Sequence, residues 1–354
     1  MTMLRYGTPN VDDNRIFASR EIKASSHPYF FSYNNNFQAY LDSVKIFNPH
    51  LKRETSLDSL MISDRTRALL IFINNNIVFE KYYYDTQPSH ISSTFSVSKS
   101  FLSTLTGILI ENGYIRSIDE PITNYITELK KYDHFNQITI KYLLQMSSGL
   151  KWNKDKIFDD DGRYYYSSNI RRMILRSQME SEPGKSWKYK NIDTELLCWV
   201  LEKSSNCHIS ELMQKYLWEP LGAEYNASWS LDRKGGVEKA SSSLNASPRD
   251  LLKFGCLYLN TGKFNGNLIL SEDWINQIYN TAPAPNQQEY IKHNYLWWIP
   301  NGENQEIVAD GFLGQRIMII PGYNMVVVRV SDSNDISSID KILFYIINND
   351  LLAN

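Results

Sequence analysis

Cysteine and histidine are scarce: the 354-residue chain holds three of the first and six of the second. Cys198, Cys207 and Cys256 are too few for a disulfide framework and lack Cys-x-x-Cys spacing. Neither a stapled secreted scaffold nor a structural zinc site is therefore expected. They read as small apolar side chains in a reducing compartment. His27, His50, His90, His134, His208 and His293 stand at no ligand-like spacing, and no His-Glu-x-x-His segment exists. A dominant sign of charge is also missing, with 37 basic against 39 acidic residues. A nucleic-acid partner normally requires a basic surface, so none is expected. No apolar run approaches the roughly 20 residues of a membrane span. The richest, 101–110, is broken by Ser103, Thr104, Thr106 and Gly107. The first ten residues lack the basic-then-apolar order of a secretory signal. The expectation is a cytoplasmic protein with no cofactor, metal or membrane partner; a homodimer is left open.

Catalytic signatures are thin too. There is no Gly-x-Ser-x-Gly elbow and no Gly-x-Gly-x-x-Gly after a strand. Gly184-Lys185-Ser186 is similar to the end of a phosphate loop, but Met179 stands where its first glycine belongs.

What is present is a clear order of elements. Residues 1–60 carry few strong patterns and are expected to wrap over the main body. Two β-rich runs, 67–73 and 77–84, flank Asn74-Asn75-Asn76 and predict a hairpin. Phe101, Leu102, Leu105, Ile108 and Leu109 recur at helical spacing, with Asn112-Gly113 as the stop. The middle is mostly helical, with helices over 140–146 and 194–202. Ser247-Pro248 opens another, which runs to about Tyr258. Strands return over 317–320 and 325–330 around Pro321-Gly322, and a last helix spans about 337–349. Strands at both ends imply an α/β (α+β) fold: an antiparallel sheet from both chain termini, flanked by helices, with an inserted, mainly helical domain. The expected division is 1–95 with 295–354 for the sheet domain and 96–294 for the helical one. A cleft between two such lobes is a common place for a site.

Ser-x-x-Lys occurs three times: Ser96/Lys99, Ser148/Lys151 and Ser338/Lys341. Gly149 in a turn separates the second pair, and the third lies on a terminal polar helix. Only Ser96 stands between strand-like chain and a strongly apolar helix. There it meets the positive end of the helix dipole and unpaired backbone N–H groups, with Lys99 on the same face. A lysine held among apolar walls loses its preference for the charged form and can act as a base near neutral pH.

Read with its neighbours, Ser96-Val97-Ser98-Lys99, followed by an apolar helix and Asn112-Gly113-Tyr114-Ile115, resembles the first motif of the serine β-lactamase and penicillin-binding protein superfamily. The run Ile138-Thr139-Ile140-Lys141-Tyr142-Leu143-Leu144-Gln145-Met146-Ser147-Ser148-Gly149 is similar to a segment of its class C-like branch. Pro183-Gly184-x-x-Trp187-x-Tyr189-x-Asn191 is similar to that branch's Tyr-x-Asn motif. Tyr33/Asn35 repeats the spacing but precedes the nucleophile and lacks the Pro-Gly lead-in. Pro220-Leu221-Gly222, Ser247-Pro248-Arg249-Asp250 and Phe254-Gly255 are also similar to segments of the branch, and Trp297-Trp298 and Gly311-x-x-Gly314-Gln315 bring the likeness nearest to 6-aminohexanoate-dimer hydrolase-like serine hydrolases. The likeness spans about 68–330. One departure stands out: the third motif, Lys-Thr-Gly or His-Thr-Gly in the superfamily, is here Ala309-Asp310-Gly311. The cation that helps hold a substrate carboxylate is gone, and an Asp310 that faced the site would repel one.

The resemblance implies acyl transfer. Ser96 is the nucleophile, and Lys99 and Tyr189 handle its proton, with the Tyr189 phenol drawn toward phenolate by Lys99. Asn191 orients Lys99 or a substrate amide. The oxyanion is met by the N–H groups of Ser96 and of Phe312, just after Gly311, while Trp298 reads as a substrate wall or as core packing and Gln315 as a substrate contact or as a residue that holds the strand. The Asp159-Asp160-Asp161 run reads as a solvated loop or as a site loop for a substrate amine, and Tyr164 to Tyr166 as core or lid. The expected activity is cleavage of a small linear amide or ester. A class C-like β-lactamase or D-Ala-D-Ala carboxypeptidase, and a catalytically silent binding protein, are the alternatives.

Overall fold

The computed structural model describes residues 7–154 and 159–348. Its centre is an eight-stranded sheet whose strands are, in chain order, β1 Ser32–Tyr33, β2 Thr66–Ile73, β3 Asn76–Tyr82, β4 Ile291–Asn294, β5 Trp297–Pro300, β6 Ile307–Gly311, β7 Gln315–Ile320 and β8 Met325–Ser331. They lie in the order β4-β5-β6-β7-β8-β2-β3-β1, antiparallel except that β1 runs parallel to β3. Both chain ends thus build one sheet, as the pattern predicts.

The predicted hairpin is β2–β3. Asn74 and Asn75 both adopt the left-handed region, with φ of 48° and 66°. A two-residue hairpin turn of the hand that suits twisted strands needs that conformation, and Asn tolerates it. The β7–β8 connection is a 3-10 turn over Pro321–Tyr323 closed by left-handed Asn324.

Alternation along the strands explains their near-continuous apolar runs. Leu69, Ile71 and Ile73 face one core, and Ala68, Leu70 and Phe72 face the other. The first core is closed by helices α1 Asn35–Ser43, α2 Leu57–Ser63 and α7 Ser337–Asn348. The early segment and the last helix therefore pack as structured layers. Ile339, Ile342, Leu343 and Ile346 bury a full stripe of α7, so the polar character assigned to that helix holds for its outer face alone. The side chain of Ser338 and residue Asn349 lie outside the described residues.

The larger core holds α3 Ser98–Glu111, α5 Asn191–Ser205 and α6 Pro248–Leu259, with the short α4 Asp160–Tyr165 at its rim. α3 ends at Asn112, with Gly113 at φ 76°, and Ser247 caps α6 by accepting the Asp250 N–H at 3.2 Å. Helix α6 packs on β7 and β8, and β4 joins the sheet. Both lie inside segment 96–294, and one continuous core runs from sheet to helices. A second sheet of four short strands, Ser19–Ile22, Ala227–Ser230, Leu244–Ala246 and Ser92–Ser93, was not predicted. It ties the chain just before Ser96 to the 227–246 segment. Among the described residues no helix is long and apolar enough to cross a membrane.

Candidate active site

Ser96 lies in a 3-10 turn, Phe95–Val97, that feeds directly into α3. Phe95 holds φ at 46°, a left-handed conformation that costs a side chain of this kind about 1–2 kcal/mol. Packing holds it there: the ring is buried against Tyr165 at 6.1 Å and meets Phe312 edge-on at 5.5 Å. Strain at the residue before Ser96 presents the serine hydroxyl to the cleft instead of to the helix.

Lys99 sits one turn along α3, and its Nζ donates to Ser96 Oγ at 2.9 Å and to the Ser241 carbonyl at 2.6 Å. It is fully buried. Burial pulls its pKa down to about 7, the effect opposed by Asp161 and Glu195 and aided by Lys154. Burial thus shifts Lys99 toward its uncharged form near neutral pH, with a lone pair beside the serine hydroxyl. The Tyr189 phenol hydrogen-bonds Ser96, and its ring lies 5.0 Å from Lys99 Nζ.

One expectation fails here. Burial drives the Tyr189 pKa far up, Asp310 and Asp161 add to this, and the Ser96 hydrogen bond opposes it only in part. Tyr189 is therefore a neutral phenol, a proton donor and not a phenolate, because desolvation outweighs the nearby lysine.

The remaining predicted residues divide. Asn191, the first residue of α5, donates from Nδ2 to Asp161 Oδ1 at 2.9 Å, so it orients Asp161 and not Lys99. Its Oδ1 is buried without a partner. Gly311 ends β6 where a Cβ would stand 2.5 Å from the Thr94 carbonyl and 3.4 Å from the Ser96 nitrogen, so only glycine lets the strand come this close. Phe312 follows it, 45% exposed at the cleft rim. Trp298 stacks on Tyr189 at 5.6 Å and 20°, and His293 meets both rings edge-on. Gln315 does not line a substrate. It is buried, its Nε2 donates to the Leu313 and Ser331 carbonyls, and its Oε1 accepts the Ser331 N–H, so its side chain is spent on joining β7 to β8. Asp310 is ion-paired with Arg316 at 2.6 Å.

The Asp159–Asp161 run also resolves. Asp159 caps α4, while Asp161 turns inward, close enough to Lys99 and Lys154 to feel both charges. It belongs to the cleft, and the solvated-loop reading fits only Asp159 and Asp160. Tyr164, Tyr165 and Tyr166 are buried, and two of their hydroxyls bind Asp13 and the Gly7 carbonyl, so they anchor the N-terminal segment and form no lid. Sequence reasoning missed Glu195 and Ser241. The available signal was a carboxylate at Glu195 inside an otherwise apolar stripe of α5.

Among the described residues two groups of side chains could gather around a metal ion, His50–Asp64–Asp335 and Glu202–His208–Glu238, and neither includes Ser96, Lys99 or Tyr189. Their carboxylates are already engaged: Asp64 with His50, Glu202 with Arg171, Glu238 with Arg20 and Ser210.

Comparison with known proteins places this geometry. A family model described as beta-lactamase matches residues 63–346. The chain is 22% identical over 293 residues to the 6-aminohexanoate-dimer hydrolase of Paenarthrobacter ureafaciens, covering 76% of this chain and 73% of that one. Among solved structures, a Bacillus anthracis protein assigned as a 6-aminohexanoate-dimer hydrolase superposes with a TM-score of 0.84 at 25% identity, covering 98% of this chain and 94% of that chain. A D-alanine carboxypeptidase of Burkholderia cenocepacia shares the fold, with a TM-score of 0.62 at 15% identity over 82% of this chain and 96% of the other.

Proposed function

The chain belongs to the beta-lactamase family and is a hydrolase, and from that premise we propose that it cleaves a small linear amide or ester through an acyl-enzyme on Ser96. The supporting observation is the pairing of Ser96 with a desolvated lysine, pKa about 7, whose Nζ lies 2.9 Å from the serine oxygen. Neutral Lys99 takes the Ser96 proton as Oγ attacks the substrate carbonyl. The N–H groups of Ser96 and Phe312 meet the oxyanion. As the tetrahedral intermediate collapses, the neutral Tyr189 phenol gives its proton to the leaving amine or alkoxide. The Lys99 ammonium then restores the phenol, and the set returns to its starting charge. Water, deprotonated by Lys99, next attacks the ester on Ser96; as that intermediate collapses, the Lys99 ammonium returns the proton to Ser96 Oγ, and the acid is released.

Substrate class follows from charge. Asp161 in the cleft suits an amine-bearing substrate, in keeping with the linear amide named in the hydrolase of Paenarthrobacter ureafaciens. Asp310 opposes the carboxylate of a β-lactam or D-Ala-D-Ala peptide, which ranks that activity second. The proposed compartment is the cytoplasm, on cysteine usage.

Intact-mass spectrometry after exposure to a p-nitrophenyl acyl ester and, separately, to a penicillin tests the proposal. Wild type should carry an acyl adduct or release nitrophenol with the ester and react poorly with penicillin, and Ser96→Ala should do neither. Full ester turnover by Ser96→Ala removes Ser96 as nucleophile; rapid opening of penicillin by wild type reverses the order of substrates.

A further inference from the structure

Lys99 needs an acceptor for the proton it does not direct at Ser96, and that acceptor is a backbone carbonyl, Ser241, 142 residues away in the chain. A carbonyl in a turn, even a buried one, is a sound anchor only where the turn is itself held. Residues 239–243 form such a turn, closed by the Ser243 N–H on the Lys239 carbonyl at 3.1 Å. From α5, Glu195 reaches across and accepts both forward amides, Ser241 N–H at 3.0 Å and Ala240 N–H at 3.3 Å. On the other side Lys239 Nζ donates to the carbonyls of Tyr165 and Ser167, fastening the turn to the end of α4.

Holding two amides and the Ser241 side chain does not require a charge, and a buried carboxylate is a costly choice for it: burial pushes the Glu195 pKa up, and the Ser241 and Ala240 hydrogen bonds and Lys239 oppose that. Glu195 is fully buried and makes no ion pair; Lys239 and Lys99 act on it or feel it only through space. Resting on the reading of Ser96 and Lys99 above, we infer that Glu195 is a positioning residue: it aims the Ser241 carbonyl at Lys99, holds that lysine against Ser96, and sets its basicity by its own charge.

The charges facing Lys99 come from four elements: Asp161 on α4, Lys154 just before it, Glu195 on α5 and His293 on β4. Asp161 and Glu195 raise the lysine, Lys154 lowers it, and His293 stays neutral because burial holds its pKa near 3. Removing the Glu195 charge therefore moves Lys99 in one direction, downward.

The test compares wild type, Glu195→Gln and Glu195→Asp by two readouts. One is the pH dependence of kcat/KM for a p-nitrophenyl acyl ester. The other is titration of Lys99 by NMR on protein carrying 13Cε-lysine, with the resonance assigned by its loss in Lys99→Met. In Glu195→Gln the rate at the optimum should fall about tenfold, and both the acid limb and the Lys99 midpoint should move to lower pH. Glu195→Asp keeps the charge on a shorter arm, so its limb and midpoint should stay close to wild type while its rate falls. A slower Glu195→Gln enzyme with an unmoved limb and midpoint overturns the inference and leaves Glu195 merely structural. So does a Glu195→Asp limb and midpoint displaced from wild type to clearly lower pH, a result that stands even where Glu195→Gln fails to fold. The NMR titration does not depend on turnover, so failure of the serine mechanism, seen as an active Ser96→Ala, remains distinguishable.

Discussion

Two helices of this protein begin in the same way and end up with opposite chemistry. At the start of α3, Lys99 follows Ser96 by three residues; at the start of α6, Lys253 follows Asp250 by three. Both lysines are fully buried in the first turns of their helices. Lys253 has carboxylates in contact, Asp250 and Glu224 each at 3.1 Å, and donates to the Gly222 carbonyl as well. Lys99 touches only a hydroxyl and a carbonyl, while its carboxylates, Asp161 and Glu195, act from a distance. Burial alone therefore does not make a lysine a base. It does so where ion-pairing is withheld at contact range and supplied faintly from further off.

Exchanging each lysine for methionine should separate the two roles. Lys99→Met is expected to lower kcat/KM for an acyl ester by about 10³-fold, the largest effect; a loss under tenfold would take Lys99 out of the proton path. Lys253→Met leaves Asp250 and Glu224 buried and unpaired, and should cost about 3–5 kcal/mol in urea unfolding. Turnover per folded molecule should stay within about twofold, since nothing in the acyl-transfer chemistry passes through it. Lower turnover of the folded fraction would tie α6 to the chemistry.

Tyr189→Phe keeps the stack with Trp298 but loses the proton donor, so single-turnover acylation should slow by about 10²-fold, more for an amide than for an activated ester. Equal losses on both substrates would argue that the phenol only packs. The smallest effect is on stability with pH. The Lys99 pKa is about 7 when folded against about 10.5 when unfolded, so the unfolded chain binds more protons between those values. This lysine's cost to stability is therefore full below pH 7 and is relieved as pH rises toward 10.5. Lys99→Met should raise the Tm at pH 6–7, and the gain should shrink by pH 10. A variant less stable than wild type at pH 6 would contradict the assigned direction. Together with Lys253→Met this makes a double dissociation: one lysine exchanged for activity, the other for stability.

Much of the fold was legible because its signals are local. The asparagines of the β2–β3 turn, the Asn112-Gly113 stop and the Ser247-Pro248 start each act within a few residues of the backbone they shape. The four-stranded sheet through Ser92–Ser93 was not legible, since its strands are two to four residues long and two of its three pairings join segments more than 100 positions apart. At the site, the Ser96–Lys99 spacing, Tyr189 and the close approach at Gly311 were readable. For Gln315 and the three tyrosines at 164–166 the sequence left two roles open for one reason: a polar side chain's duty depends on which partners it meets, and theirs lie in distant segments. Asp161 was invisible within its acidic run because only one of three neighbouring carboxylates points inward.

The sequence by itself determined that a serine and a lysine would share one face at the start of an apolar helix, because a helical turn is a matter of three residues. It determined too that both termini would supply strands, because alternation is a local pattern. Only the tertiary structure decided that Lys99 has its pKa pulled down to about 7 and that Tyr189 stays a neutral phenol, the states the proposed acyl transfer calls for. Both properties are set by desolvation and by charges carried on α4, α5 and β6. Those groups meet the cleft through packing of distant chain, and free-energy differences of that kind have no address in a short motif.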